Sequence, residues 1–138
     1  MAMADDERGA EAWPIEAIPD GDDIYMRIHL RSWVSPSGRL SSAAFQNRGS
    51  GMSVEWAKYA TPEQTRSRSD RHPPTAYGIV AMVTGVVRAI PGQRVEHEPL
   101  PENQAHSEVF GEKDEEARMG LLRAARRVLG FDPNSVTT

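Results

Sequence analysis

The sequence predicts an α+β domain: a mainly antiparallel sheet, a C-terminal helix packed on one face, and a short helix near 62–69. Three observations lead there. Short alternating or β-branched stretches outnumber helical ones. Turn-forming clusters such as Ser35-Pro36-Ser37-Gly38 and Pro91-Gly92 join those stretches. Near the C-terminus one longer stretch carries a helical period.

The elements follow in order. Residues 1–20 are acidic and broken by Pro14 and Pro19, so they read as a flexible tail, with Trp13 and Ile15 able to tuck against the body. Asp20-Gly21-Asp22-Asp23 is a turn that launches a strand over 24–30. Alternation in that strand sets Tyr25, Arg27 and His29 on one face and Ile24, Met26, Ile28 and Leu30 on the other. Leu40 to Phe45 is expected as a second strand, and Met52 to Trp56 as a short apolar strand or turn.

Thr61-Pro62-Glu63-Gln64 is the clearest local pattern. Thr61 suits the N-cap, Pro62 the first helical position, and Gln64 the capping-box partner. Two prolines, Pro73 and Pro74, close the helix that follows. Tyr77 to Ile90 is the most apolar stretch. Its β-branched residues favour a buried strand bent at Gly85, while its length also permits a helix. Strands at 94–97 and 105–110 form a hairpin around a Pro-containing loop. The final helix is expected over 113–129, with Ala117, Leu121, Ala124, Ala125 and Val128 on its apolar face. Acids lead it, Arg126 and Arg127 close it, and Gly130 stops it. Residues 21–130 thus form one domain, with 131–138 a frayed tail.

Composition narrows the function classes. The chain has 138 residues and no cysteine, which removes disulfides, thiolate metal sites and cysteine nucleophiles. No apolar run reaches the ~20 residues that span a bilayer, and no secretion signal opens the chain. A soluble cytoplasmic protein without membrane contact is expected. A net charge of −4 argues against nonspecific DNA binding. Arg66, Arg68, Arg71 and His72 form one basic stretch, and Arg118, Arg123, Arg126 and Arg127 another. Each is read first as a solvated face.

The chemistry-bearing residues are His29, His97 and His106. Histidine moves protons near neutral pH, and arginine grips phosphate. If the hairpin brings His97 and His106 to one end of the sheet beside His29, the three could share acid and base roles on RNA or a nucleotide. Tyr25, Arg27 and Asn103 are the candidate ligand-binding residues. Plainer structural roles compete with these. His97 and His106 could bond loop carbonyls, Arg27 could pair with Glu55, Glu96 or Glu108 across the sheet, and Asn103 could cap a turn. No metal and no cofactor is expected. The histidine spacing lacks a helical zinc register, and His106-Ser107-Glu108 lacks the cysteine half of a zinc deaminase signature. Ser41, Ser42 and Ser53 lie in no nucleophile elbow. Trp33 is the aromatic residue best placed for a partner surface.

The strings Ile-Tyr-Met-Arg-Ile-His, Gly38-Arg39-Leu-Ser-Ser-Ala-Ala-Phe, Met-Ser-Val-Glu-Trp, Thr-Pro-Glu-Gln-Thr and Val-Glu-His-Glu-Pro-Leu-Pro-Glu-Asn-Gln-Ala-His resemble a group of small uncharacterised bacterial proteins over residues 18–128. That resemblance implies one domain and no established activity. The Tyr-x-Arg-x-His strand followed by a serine-containing strand is also similar to ADP-ribosyltransferase-type domains, where such strands hold NAD. By order, Glu108 would stand where their catalytic glutamate stands. With no complete catalytic motif in the chain, the leading expectation is a binding or accessory protein acting with a larger protein partner. The runner-up is a histidine-dependent enzyme on RNA or a nucleotide. A toxin- or antitoxin-like module using the arginine-rich last helix is a third reading.

Overall fold

The structure, a computed structural model, describes residues 13–131. It is a six-stranded antiparallel sheet flanked by short helices, an α+β architecture as the sequence predicts. The strands are β1 (Asp23–His29), β2 (Met52–Trp56), β3 (Tyr77–Val83), β4 (Arg94–His97), β5 (His106–Phe110) and β6 (Arg126–Leu129). Their order across the sheet is β4-β5-β2-β1-β3-β6. The helices are α1 (Leu30–Trp33), α2 (Pro62–Ser67), α3 (Thr84–Arg88) and α4 (Glu115–Ala124). None of the described helices is long and apolar enough to cross a membrane.

Strand alternation decides which residues reach the core. Ile24, Met26 and Ile28 are buried on one face of β1, and Tyr25, Arg27 and His29 stand half-buried on the other. Val54, Trp56, Val80, Met82, Val95 and Val109 join the buried face, where Phe45 and Leu121 pack onto them. Removing this continuous apolar surface from water is the main favourable term in folding. β3 is buried on both faces from Tyr77 to Met82, because α2 covers the face that the main core does not.

The expected capping box forms at α2. The Thr61 hydroxyl accepts from the Gln64 amide at 3.1 Å, and the Gln64 side-chain carbonyl accepts from the Thr61 amide at 2.9 Å. The strand expected over 40–45 does not form. Leu40 makes a single bridge to Val34, and Ser42–Ala44 is a 3₁₀ turn. The Ser41 hydroxyl accepts from the Ala43 amide, a local bond that competes with a strand ladder. The stretch 77–90 resolves into both strand and helix, β3 and then α3. Gly85 is needed where the backbone meets Asp20. Its amide donates to the Asp20 carbonyl at 2.8 Å, and a Cβ there would lie 2.9 Å from the Asp20 Cβ.

The last helix is shorter than the expected 113–129. It ends at Ala124, and Ala125 is already extended. Arg126–Leu129 instead adds a strand to the free edge of β3, with Val80 opposite Arg127. Ala117 and Leu121 keep their expected buried positions, but Val128 is exposed on β6. Phe131 lies against Gly78, so the packed chain extends past 130. At the other end, the extended segment Trp13 to Pro19 is anchored to the body at a few points, although most of its residues are exposed. Ile18 is 3% exposed, and the Trp13 indole donates to the Pro101 carbonyl, while Ile15 stays exposed. The part of the expected tail that the structure describes is thus tied to the body at Trp13, Glu16 and Ile18, while residues 1–12 and 132–138 lie outside the described residues.

Lys113 fastens the turn after β5. Its ammonium donates to Asn47 Oδ1 at 2.8 Å, the Val109 carbonyl at 3.0 Å and the Gly111 carbonyl at 2.7 Å. Burial pulls its pKa down to about 8 from the ordinary 10.5. The native lysine is then neutral and the unfolded one charged between those values, so this group makes stability rise with pH across that window. Lys113→Met leaves three acceptors without their donor. Urea denaturation should show a loss of about 1–2 kcal/mol at pH 7 and a flatter profile above pH 8.

Candidate functional site

The ladder between β1 and β2 holds only two residue pairs, Ile24↔Trp56 and Tyr25↔Glu55, whereas that between β1 and β3 holds seven. Beyond Tyr25 and Glu55 the two strands diverge. The gap opens a cleft of about 890 Å³ on the polar face of the sheet. Where the strands part, its lining takes in the buried core residues Met26, Ala44, Met52 and Val54. Its walls come from α1, the segment after α2, and the loop between β4 and β5.

Glu55 ties two of those walls together. It is 4% exposed, and its carboxylate accepts four hydrogen bonds. Oε1 takes Thr65 Oγ1 at 2.8 Å and Arg68 Nη2 at 3.1 Å; Oε2 takes Arg68 Nε at 2.9 Å and Asn103 Nδ2 at 2.9 Å. Burial alone would raise its pKa, but the Arg68, Thr65 and Asn103 hydrogen bonds outweigh that and hold it below the usual carboxylate range. The carboxylate is thus charged but neutralised from within.

At another part of the cleft, three rings gather. His29 and His72 stack with centroids 4.6 Å apart, and Tyr77 meets His29 edge-on at 5.7 Å. The Arg27 guanidinium lies 5.8 Å from the Tyr77 ring and donates to the Thr65 carbonyl at 3.3 Å. Burial first, and then the neighbouring His72 and Arg31, lower the His29 pKa. His29 Nδ1 is bonded to Ser32 Oγ at 2.7 Å. Arg48 and Arg71 also border the cleft, and neither side chain has a hydrogen bond or ion pair among the described residues.

Of the site residues expected from sequence, Tyr25, Arg27, His29, Asn103 and His106 all border this cleft. His97 does not. It is 1% exposed on the opposite face, edge-on to Trp56 at 5.1 Å. Its Nδ1 accepts from the Glu16 amide at 3.0 Å, so Nε2 carries the hydrogen and donates to the Gln104 carbonyl at 2.8 Å. The expected convergence of three histidines therefore fails, and His97 bonds a loop carbonyl. The reason is strand parity. The hairpin forms, but its register sets His97 opposite Ser107, so His106 falls on the other face. His106 instead lies 3.2 Å from Glu108.

Arg27 pairs with none of Glu55, Glu96 or Glu108; Glu55 takes Arg68 instead. Asn103 does order its turn, since its Oδ1 accepts from the Ala105 amide while its Nδ2 serves Glu55. Tyr25 faces the cleft with its pKa raised, by burial first and then by Asp23. Trp33 borders the cleft too. Sequence reasoning missed the role of residues 68–72. This basic stretch is not merely a solvated face: it supplies Arg68 to Glu55, and Arg71 and His72 to the cleft. Its place just after a firmly capped helix was the available clue. Among the described residues, no three histidine, aspartate or glutamate side chains gather so as to hold a metal ion.

Comparison with protein-family models, with curated proteins and with solved structures finds no match to this chain.

Proposed function

We propose that this chain is a binding or accessory protein that acts with a larger protein partner, and that the cleft between β1 and β2 is its recognition surface. The observation that carries this reading is the early end of the β1–β2 ladder, which leaves an arginine-rimmed concavity in the middle of the sheet. Concave sites with a few convergent polar groups are the usual form of a binding site. The competing reading, an enzyme with three histidines sharing acid and base roles, needs His97 in the cleft, where it is not. A reduced form with His29 and His106 alone keeps RNA or a nucleotide as its substrate.

The test compares wild type with the charge-reversal variant Arg48→Glu/Arg71→Glu, each immobilised and exposed to the proteins of the source cell. Both arginines are free of side-chain partners among the described residues, so the fold should survive the change. A partner held by wild type and released by the variant is the expected result. A partner held equally by both would remove the cleft from the interaction. Turnover of RNA or a nucleotide that His29→Ala abolishes would instead put the enzyme reading first.

A further inference from the structure

We propose that the cleft binds a nucleoside monophosphate, with the base beside the His72–His29–Tyr77 rings and the phosphate against the arginines of the rim. The inference rests on the cleft being the recognition surface and names what it recognises.

Three features select this ligand class. The first is size: about 890 Å³ lies within the ~300–1,000 Å³ typical of small-molecule sites. The second is an aromatic surface. The exposed His72 ring, stacked on His29, borders the cleft beside Tyr77. A flat heteroaromatic ring gains from such a platform, since every base has a π-face to stack. The third is charge. Glu55 is already neutralised by Arg68 and Arg27 is held by the Thr65 carbonyl, which leaves Arg48 and Arg71 as the cleft's uncommitted guanidinium groups among the described residues. A guanidinium fork matches phosphate geometry, and Arg48 and Arg71 would give up no existing side-chain bond to make that contact. Asp70 and Glu102 also line the cleft, so outside the Glu55–Arg68 pair the lining sets Arg27, Arg48 and Arg71 against two carboxylates, a small positive excess that favours an anion over a cation.

The experiment is an NMR titration of the imidazole resonances with AMP and GMP, and with adenosine and inorganic phosphate as separate probes. The expected result is saturable movement of His29 and His72 with either monophosphate. His97, on the other face of the sheet, should stay still and serve as the internal reference. Adenosine and phosphate alone should each bind at least about tenfold more weakly than AMP, because each keeps only half of the contacts. Arg71→Ala should weaken AMP about tenfold, one charge-assisted contact's worth, without unfolding the protein. A 5′-phosphorylated trinucleotide identifies the source. Tighter binding than AMP assigns the site to an RNA end, and weaker binding assigns it to a free nucleotide.

The proposal is overturned if His29 and His72 do not respond to millimolar AMP or GMP. It is equally overturned if phosphate alone binds as well as AMP, or if Arg71→Ala changes nothing. Should nucleotides fail while the charge-reversal variant still releases a protein partner, the recognition surface stands and only the nucleotide is lost.

Discussion

Replacing Glu55 with glutamine is expected to cost about 3 kcal/mol of stability and to loosen two walls of the cleft at once. The carboxylate accepts from Thr65 and Arg68 at the end of α2 and from Asn103 in the β4–β5 loop. A glutamine amide has one acceptor and one donor end. Its donor end meets an Arg68 N–H in either orientation, and the Asn103 amide as well in one of them, and Arg68 loses its counter-charge. Arg68 is 35% exposed, so water recovers part of the loss, and the effect sits at the low end for a broken buried pair. The pH dependence has a definite sign. Because the folded carboxyl titrates below its ordinary value of 4.5, its contribution is present in full above that value and lost as pH falls through the lowered folded pKa. Wild type should therefore lose stability on acidification below about pH 4.5, and Glu55→Gln should show a shallower acid limb. Urea unfolding at pH 7 and pH 3.5 measures both effects. Equal slopes in the two proteins would mean that Glu55 does not control the acid limb.

Trp56→Ala should cost about 3–5 kcal/mol, the usual loss for a large aromatic residue removed from a closed core. Trp56 is 1% exposed and lies edge-on to both Tyr59 and His97, with ring centroids 5.4 Å and 5.1 Å away. Its indole donates to Asp22 at 2.9 Å, which fastens the turn before β1. The cavity left by alanine would also free His97, which holds the Glu16 amide. Trp56→Phe separates the two contributions. It keeps a ring in place and loses the Asp22 bond, so it should cost about 1–2 kcal/mol. Circular dichroism in urea gives both numbers. A Phe variant as damaged as the Ala variant would place the energy in the hydrogen bond rather than in packing.

Local rules explain what could be read from the chain alone. The α2 boundary was legible because Thr61, Pro62 and Gln64 satisfy their bonds among themselves. The faces of β1 were legible because alternation needs no knowledge of partners. What escaped depends on contacts far along the chain. Arg126–Leu129 has the propensity to continue a helix, yet the open edge of β3 captures it as a strand. The cleft exists because β1 and β2 part company, and no residue in either strand announces that. The position of His97 was within reach. It shares parity with Val95, a natural core residue, while His106 is out of step with Val109. Pairing the two histidines because both flank one loop overlooks the alternation that correctly sorts β1.

The strand order carries a kinetic consequence. Among the described strands, only β4 and β5 meet across a short loop, and they can zip within microseconds. The central β1–β3 ladder joins Asp23–His29 to Tyr77–Val83, so a long stretch of chain must be closed before its first bond forms. β6 then adds to a β3 edge that has to be in place beforehand. Refolding should accordingly be slow for a domain of this size, with the hairpin structured early and the edge contributed by β6 appearing last.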